Sequence, residues 1–285
     1  MKKYIIIFTV LVVVAIAGLS MWLLQSKQSV KSTGGVTSGR YIAMGDSVAA
    51  GVGLYDASDS SACNRTRQSY PNLVSRSLNL RLSHIACTGA ASMSGLLLPQ
   101  VVNGASVPAQ LEQLFASKPS QLISLTVGAN DIDWTNVIGK CYSETCGDAS
   151  DNAHITSALQ GVTDNMITIL DKISHHYPPD AAPFTVITGY YQVFPSSEKR
   201  CSSLAGVDTN EITWWRSKED ALNKTINTVV ARYHFAHFVP IDFTNHELCT
   251  DTPWVQGISD QTPFHPTEDG QKAIATSVVN AYRSE

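Results

Sequence analysis

The sequence predicts an α/β fold in which a five-stranded parallel sheet is wrapped on both faces by helices. Two observations predict it. Short, nearly continuous apolar runs of strand length alternate with longer segments of helical period, and three of the runs end in polar turns that carry glycine. The runs are residues 41–44, 83–86, 122–127, 184–188 and 238–241. Strands covered on both faces lose the in-out alternation of a half-exposed strand and read as unbroken apolar stretches. Between the runs fall the expected helices 71–78, 108–115, 155–175 and 212–233, with 271–282 closing the chain. Over 155–175, Leu159, Val162, Met166, Leu170 and Ile173 recur every three or four residues and make one apolar stripe. No internal repeat or second linker interrupts the pattern, so residues 40–285 are expected to form one domain.

Residues 1–39 stand outside this alternation. From Tyr4 to Leu24 the chain runs 21 residues without a formal charge, behind Lys2 and Lys3. At about 1.5 Å per residue this spans a hydrocarbon core of roughly 30 Å. Segment 1–24 is therefore expected to export the chain in one of two ways. As an uncleaved anchor it leaves the domain outside on the cell membrane; cut near Ala15-Ile16-Ala17 as a signal peptide, it releases a secreted protein. Contact with a membrane is expected through this helix only. Residues 25–39 (QSKQSVKSTGGVTSG) have the composition of a flexible linker.

The composition narrows the class further. The chain has 285 residues, of which 15% are charged, with a mean hydropathy of −0.02. That excludes a disordered acidic chain and a polytopic membrane protein. The net charge is −4; with Lys2, Lys3, Lys27 and Lys31 set aside, the remaining sixteen bases face 24 acids, for −8. An acidic domain without a basic stripe repels polyphosphate, so no nucleic-acid partner is expected. The six cysteines, Cys63, Cys87, Cys141, Cys146, Cys201 and Cys249, are even in number, and in an exported chain they read as disulfides. Proximity in sequence suggests 63 with 87, 141 with 146 and 201 with 249, one of many connectivities that six cysteines allow. No spacing suits a structural zinc site.

In an open parallel sheet, ligands bind beyond the carboxyl ends of the strands. Residues 41–44 end in Gly45-Asp46-Ser47, 85–86 run into Cys87-Thr88-Gly89, and 122–127 end in Gly128-Ala129-Asn130-Asp131. Phe264-His265-Pro266 lies in the loop before the last helix and can fold over the same edge. A serine hydroxyl attacks an ester when a base takes its proton and donors stabilise the oxyanion. Ser47 is the candidate nucleophile, His265 the candidate base, and the Asn130 amide with the N–H groups of Ser47 and Gly89 the candidate donors.

These blocks, in this order, resemble the SGNH or GDSL hydrolases, over residues 40 to the C-terminus. The closest likeness is to the secreted, disulfide-bonded esterases and lipases of actinobacterial type, through Gly45 to Gly51 (GDSVAAG), Tyr70-Pro71 after Cys63, Cys87-Thr88-Gly89-Ala90 and Phe264 to Gly270 (FHPTEDG). The resemblance implies the flavodoxin-like three-layer α/β/α sandwich of that family, the sequential pairing of the six cysteines, and the roles just named for Ser47, Gly89, Asn130 and His265. Many family members carry Asp three residues before the histidine, where Thr262 stands here. Some of the disulfide-bonded members use a main-chain carbonyl instead, so the carbonyl of Thr262 is expected to hold the Nδ1–H of His265, with Asp260 as the alternative. The implied protein is an extracytoplasmic serine ester hydrolase, monomeric, without cofactor or metal, acting on a small-molecule, lipid or sugar ester. The rivals are an O-acetyl esterase or acyltransferase on cell-wall or exported polysaccharide, and an inactive binding module.

Other conspicuous residues are expected to be structural. Asp46 and Asp131 brace turns or cap helices, and Glu268 and Asp269 open the last helix. His175-His176 and His234 with His237 sit at helix ends. Trp214 and Trp215 are expected to pack, Trp254 is open to either role, and loops 48–69 and 139–153 are the candidates for a substrate groove.

Overall fold

The computed structural model describes residues 39–54, 62–178, 181–196 and 200–285. The expected export segment 1–24, and the expected linker up to residue 38, lie outside the described residues. Among the described residues no helix is long and apolar enough to cross a membrane.

Five strands, β1 (Arg40–Gly45), β2 (Arg81–His84), β5 (Leu122–Thr126), β6 (Phe184–Thr188) and β7 (Ala236–Val239), form one parallel sheet in the order β2-β1-β5-β6-β7. The remaining two, β3 (Gln100–Val102) and β4 (Ala105–Val107), pair as a separate antiparallel hairpin. With the hairpin set aside, this is the flavodoxin-like strand order, whose switch point lies where the order reverses, between β1 and β5. The described helices are α1 (Ser47–Ala50), α2 (Tyr70–Leu78), α3 (Gln110–Ala116), α4 (Trp134–Ser143), α5 (Ala149–His176), α6 (Thr209–Val230) and α7 (Glu268–Arg283). α2 packs on α7 and α5 on α6, flanking the sheet. The central strands are dry: residues 41–44 of β1 are no more than 1% exposed, and β5 is buried throughout.

The boundaries move for identifiable reasons. Capping boxes at Asp148 and Asp208 start α5 and α6 earlier than the apolar stripe does, because a polar first turn satisfied by Asp151 or Glu211 has no apolar signature. Strand β2 lies two residues before the expected 83–86, since the N–H groups of Ile85 and Ala86 both turn onto the Ala43 carbonyl and leave the ladder. Strand β7 begins at Ala236, not 238, paired with Thr185. The hairpin was not among the expected elements; it turns on Asn103-Gly104, both at positive φ, a dipeptide suited to a two-residue turn. Helix α4 replaces part of the expected loop 139–153; its buried stripe of Val137, Ile138 and Cys141 is too short to stand out.

All six cysteines are paired, 63 with 87, 141 with 146 and 201 with 249, as the resemblance implies. The first bridge fastens the chain after α1 to the turn that follows β2.

The carboxyl end of β1 is held by one side chain. Gln110, fully buried at the start of α3, accepts the Gly45 N–H (2.7 Å) and donates to the Gly45 carbonyl (2.9 Å). Gly45 has φ of +133°, and a Cβ there would lie 2.4 Å from the Thr126 carbonyl oxygen. Backbone therefore runs against backbone where the strand must turn, and only glycine fits. Replacing Gln110 by Leu strands the buried Gly45 N–H at about 1–3 kcal/mol, while the Gly45 carbonyl keeps the Cys87 N–H. Denaturant unfolding of Gln110→Leu is expected to show a loss of about 1–3 kcal/mol, whereas Gln113→Leu, which removes only an exposed hydrogen bond to the Pro108 carbonyl, is expected to change little.

Candidate active site

Strand β1 ends at Gly45, and Asp46 turns the chain into α1. The Asp46 carboxylate accepts the Val48 N–H at 2.9 Å, an N-cap that sets Ser47 as the first helical residue directly beyond the strand end. His265 arrives from the segment before α7, where Phe264 takes φ of +68° and folds the chain back. Its Nε2 lies 2.8 Å from the Ser47 hydroxyl oxygen. These two candidates are thus brought into hydrogen-bond contact across 218 residues.

The group behind the imidazole corrects the expectation by one residue. Nδ1 lies 3.1 Å from the carbonyl oxygen of Pro263, while the Thr262 carbonyl accepts the backbone N–H of His265 at 3.3 Å. The tight turn at Phe264 makes the carbonyl two residues back face the ring. The Thr262 hydroxyl donates to Gln256, and Asp260 accepts the Gly257 N–H at 2.6 Å, bracing its own turn rather than the histidine. Burial lowers the pKa of His265, opposed by the carbonyls of Pro263 and, second, Thr262. The ring is therefore neutral at neutral pH, the form that accepts a proton.

Two further turns meet this pair. The Cys87 N–H donates to the Gly45 carbonyl at 2.9 Å, pressing the turn after β2 against the end of β1. There Gly89 takes φ of +73° with open space where a side chain would stand. Asn130, in the turn after β5, donates through its amide to the Ala90 carbonyl at 2.8 Å, which ties its side chain to the Gly89 turn and leaves its second amide hydrogen uncommitted in that bond. Neither the Ser47 nor the Gly89 N–H has a protein acceptor among the described residues. The Ser47 and Gly89 N–H groups and the Asn130 amide are therefore donors gathered on neighbouring turns, the chemical requirement for holding an oxyanion.

The acids beside these residues hold turns. Asp46 is 1% exposed and takes a 2.5 Å hydrogen bond from the Tyr190 hydroxyl. Burial pushes its carboxyl up to about 7, against the hydrogen bonds of Tyr190 and the backbone of Val48 and Ala49. Asp131 accepts the Ser92 N–H at 2.9 Å and the Ser92 hydroxyl, and burial raises it as well. At the histidine pairs, His175 meets the Asp171 carbonyl, His176 stacks on Phe115 and His237 on Phe184.

Beside Ser47 and His265 opens a pocket of about 480 Å³, counted out to solvent, with apolar walls that include Trp134, Tyr191, Val193, Trp215, Leu222 and Phe264. The Trp134 ring stands edge-on to the His265 imidazole at 5.5 Å. Loops 48–69 and 139–153, expected to shape the groove, contribute only Val48 among the described residues. Of the tryptophans, Trp215 lines the pocket, Trp214 turns to Asn152, and Trp254 stacks on His246 at 3.7 Å. Sequence reasoning missed Trp134, Tyr190, Tyr191 and Glu219. Glu219 is 5% exposed, and burial pushes its carboxyl up to about 8. Its signal was available, since it shares one stripe of α6 with Trp215, Leu222 and Ile226, where an acid does not belong unless the site uses it.

Asp46 and Glu219 both hold their protons to higher pH in the folded state than in the unfolded chain, where carboxyls titrate near pH 4. Between about pH 4 and 8 these two groups bind more protons in the native state, so the stability they contribute is fully present below that window and is lost as pH rises through it. Thermal melting from pH 5 to 9 is expected to show the midpoint falling, and Glu219→Gln is expected to flatten the fall.

With this geometry in hand, comparison with known proteins gives one family. The family described as GDSL-like Lipase/Acylhydrolase matches residues 43–273. A lipase of Streptomyces rimosus is 27% identical over 247 residues, covering 85% of each chain. The crystal structure of the extracellular lipase of that organism superposes with a TM-score of 0.69 at 26% identity, covering 86% of this chain and all of the other. Phospholipase A1 from Streptomyces albidoflavus NA297 superposes at 0.68 with 25% identity, covering 86% of this chain and 99% of the other. Carrying that match across most of its length, the chain belongs to the GDSL-like Lipase/Acylhydrolase family.

Proposed function

We propose that the chain is an extracytoplasmic serine ester hydrolase in which Ser47 is the nucleophile and His265 the general base. The observation that carries this reading is the 2.8 Å contact between Ser47 Oγ and His265 Nε2, with Nδ1 held from behind by a carbonyl. The Pro263 carbonyl fixes the tautomer that carries its proton on Nδ1, so Nε2 presents a lone pair to the hydroxyl. As Ser47 Oγ bonds to the ester carbonyl carbon, its proton passes to Nε2. The carbonyl oxygen becomes an oxyanion that accepts from the Ser47 and Gly89 N–H groups and the Asn130 amide. Collapse breaks the bond to the leaving oxygen, which takes the proton from His265 and departs as an alcohol. Water then repeats the sequence on the acyl-enzyme and releases the acid.

The apolar walls beside Ser47 favour a carboxylic ester with an acyl chain longer than acetyl. The three disulfides and the uncharged run 4–24 support an oxidising compartment outside the cytoplasm.

The first test is hydrolysis of chromogenic esters from two-carbon to sixteen-carbon acyl chains by the domain and its Ser47→Ala variant. The variant is expected to lose at least about a thousandfold in kcat/KM, and Asn130→Ala about a hundredfold or more in kcat. Asp260→Asn and Thr262→Ala are expected to stay within a few-fold of the parent, because neither side chain meets the imidazole; a collapse in Asp260→Asn alone would move the orienting role to that acid. The acid limb of the kcat/KM profile is expected below pH 6.5, since burial lowers His265 and the neutral ring is the active form. An acid limb above 6.5 would refute that assignment.

A further inference from the structure

The ester mechanism leaves one buried polar spot in the pocket unused. Helix α6 projects Trp215, Glu219 and Leu222 from one face, at i, i+4 and i+7, into the same pocket that Ser47 and His265 line. One Glu219 oxygen, Oε1, accepts the Val193 N–H at 3.2 Å. The other, Oε2, has no hydrogen-bond partner, and neither does Trp215 Nε1. The indole N–H lies close enough to lower the Glu219 pKa, second only to the effect of burial, yet falls outside hydrogen-bond limits with either carboxyl oxygen. Both side chains are at least nine-tenths buried. The neighbouring charges do not neutralise the acid: Arg216, whose guanidinium donates to the Phe194 carbonyl, lowers it and Asp220 raises it, and burial outweighs both. At neutral pH the carboxyl is therefore un-ionised, able to donate as well as accept.

A donor and a donor-acceptor left unpaired together in an apolar cavity call for a ligand group with complementary capacity, since each otherwise bears the cost of a lost hydrogen bond. Both atoms are already closed off from water, and a saturated acyl chain in the pocket would satisfy neither. A hydroxyl accepts from the indole N–H and bonds the carboxyl at once, with no charge to desolvate. A carboxylate would bring an anion against a group that itself ionises to an anion.

We propose that Trp215 and Glu219 form a polar subsite within the acyl pocket that selects hydroxyacyl esters over their unsubstituted counterparts. The inference rests on the reading of Ser47 as nucleophile, which makes this pocket the place of the acyl group. Glu219 is accordingly a specificity-determining residue, and no covalent step involves it.

The test uses ethyl butanoate, pentanoate and hexanoate together with their counterparts carrying one hydroxyl at successive carbons beyond the carbonyl, with acid release followed by titration at pH 7. The parent enzyme is expected to favour one hydroxyl position over the plain chain by about tenfold or more in kcat/KM. Glu219→Leu is expected to reverse that preference, Trp215→Phe to weaken it, and Glu219→Gln to retain part of it. Preference for the plain chain at every position, or a hydroxyl preference that survives Glu219→Leu, would overturn the inference while ester turnover left the serine mechanism standing. If no ester is turned over, the mechanism fails separately. Ser47→Ala is then titrated with butanamide, pentanamide and hexanamide and their hydroxy counterparts by tryptophan fluorescence: tighter binding of a hydroxyamide supports the subsite, and equal binding removes it. Should Glu219→Leu not fold, the same comparison is read from Glu219→Gln and Trp215→Phe.

Discussion

The whole site hangs on where β1 is made to stop. Gly45 is the last residue whose backbone can run against Thr126, and Gln110 grips its N–H and carbonyl together. The same carbonyl receives the Cys87 N–H, so one peptide unit positions the turn that carries Ser47, the start of α3 and the Gly89 turn. Gln271 performs a parallel task on the other side of α1: it donates to the Val48 carbonyl at 2.9 Å and accepts the Tyr70 N–H at 2.6 Å, joining α7 to α1 and α2. Two buried amides thus do what apolar packing cannot, since packing sets distance and an amide also sets direction.

Much of this was legible in the sequence because it rests on local rules. Fully buried strands announce themselves as unbroken apolar runs, as 41–44 and 184–188 do, and the turns beyond them carried Ser47, Gly89 and Asn130. The pieces that escaped obey rules with weaker signatures. A capped polar first turn extends α5 to Ala149, and a short stripe supports α4. The orienting carbonyl was anticipated in kind but not in place, because which carbonyl faces an imidazole depends on one dihedral at Phe264, and a phenylalanine gives no hint of positive φ. The pocket walls were missed for another reason. Trp134, Tyr190 and Glu219 come from three separate stretches of chain, and only the tertiary fold brings them beside Ser47.

The buried acids show the usual tension between stability and function. Asp46 is held by Tyr190 and the first turn of α1, yet burial still raises it, so the rigid turn carrying Ser47 is maintained against an electrostatic cost. Glu219 bears a similar cost, with one carboxyl oxygen left without a hydrogen bond, among walls that are mostly apolar. A chain selected for stability alone would place leucine there.

The acceptor behind His265 has a consequence of an evolutionary kind. A carboxylate in that role is lost by a single codon change, whereas a peptide carbonyl is present whatever residue occupies position 263. Point substitutions between Asp260 and Pro263 can therefore drift without removing the hydrogen bond that sets the tautomer, provided the backbone keeps its path. Vulnerability moves from chemistry to chain length. An insertion or deletion in this short segment, or a change at Phe264 that forbids its left-handed turn, would swing the carbonyl away from the ring with every recognised site residue still in place.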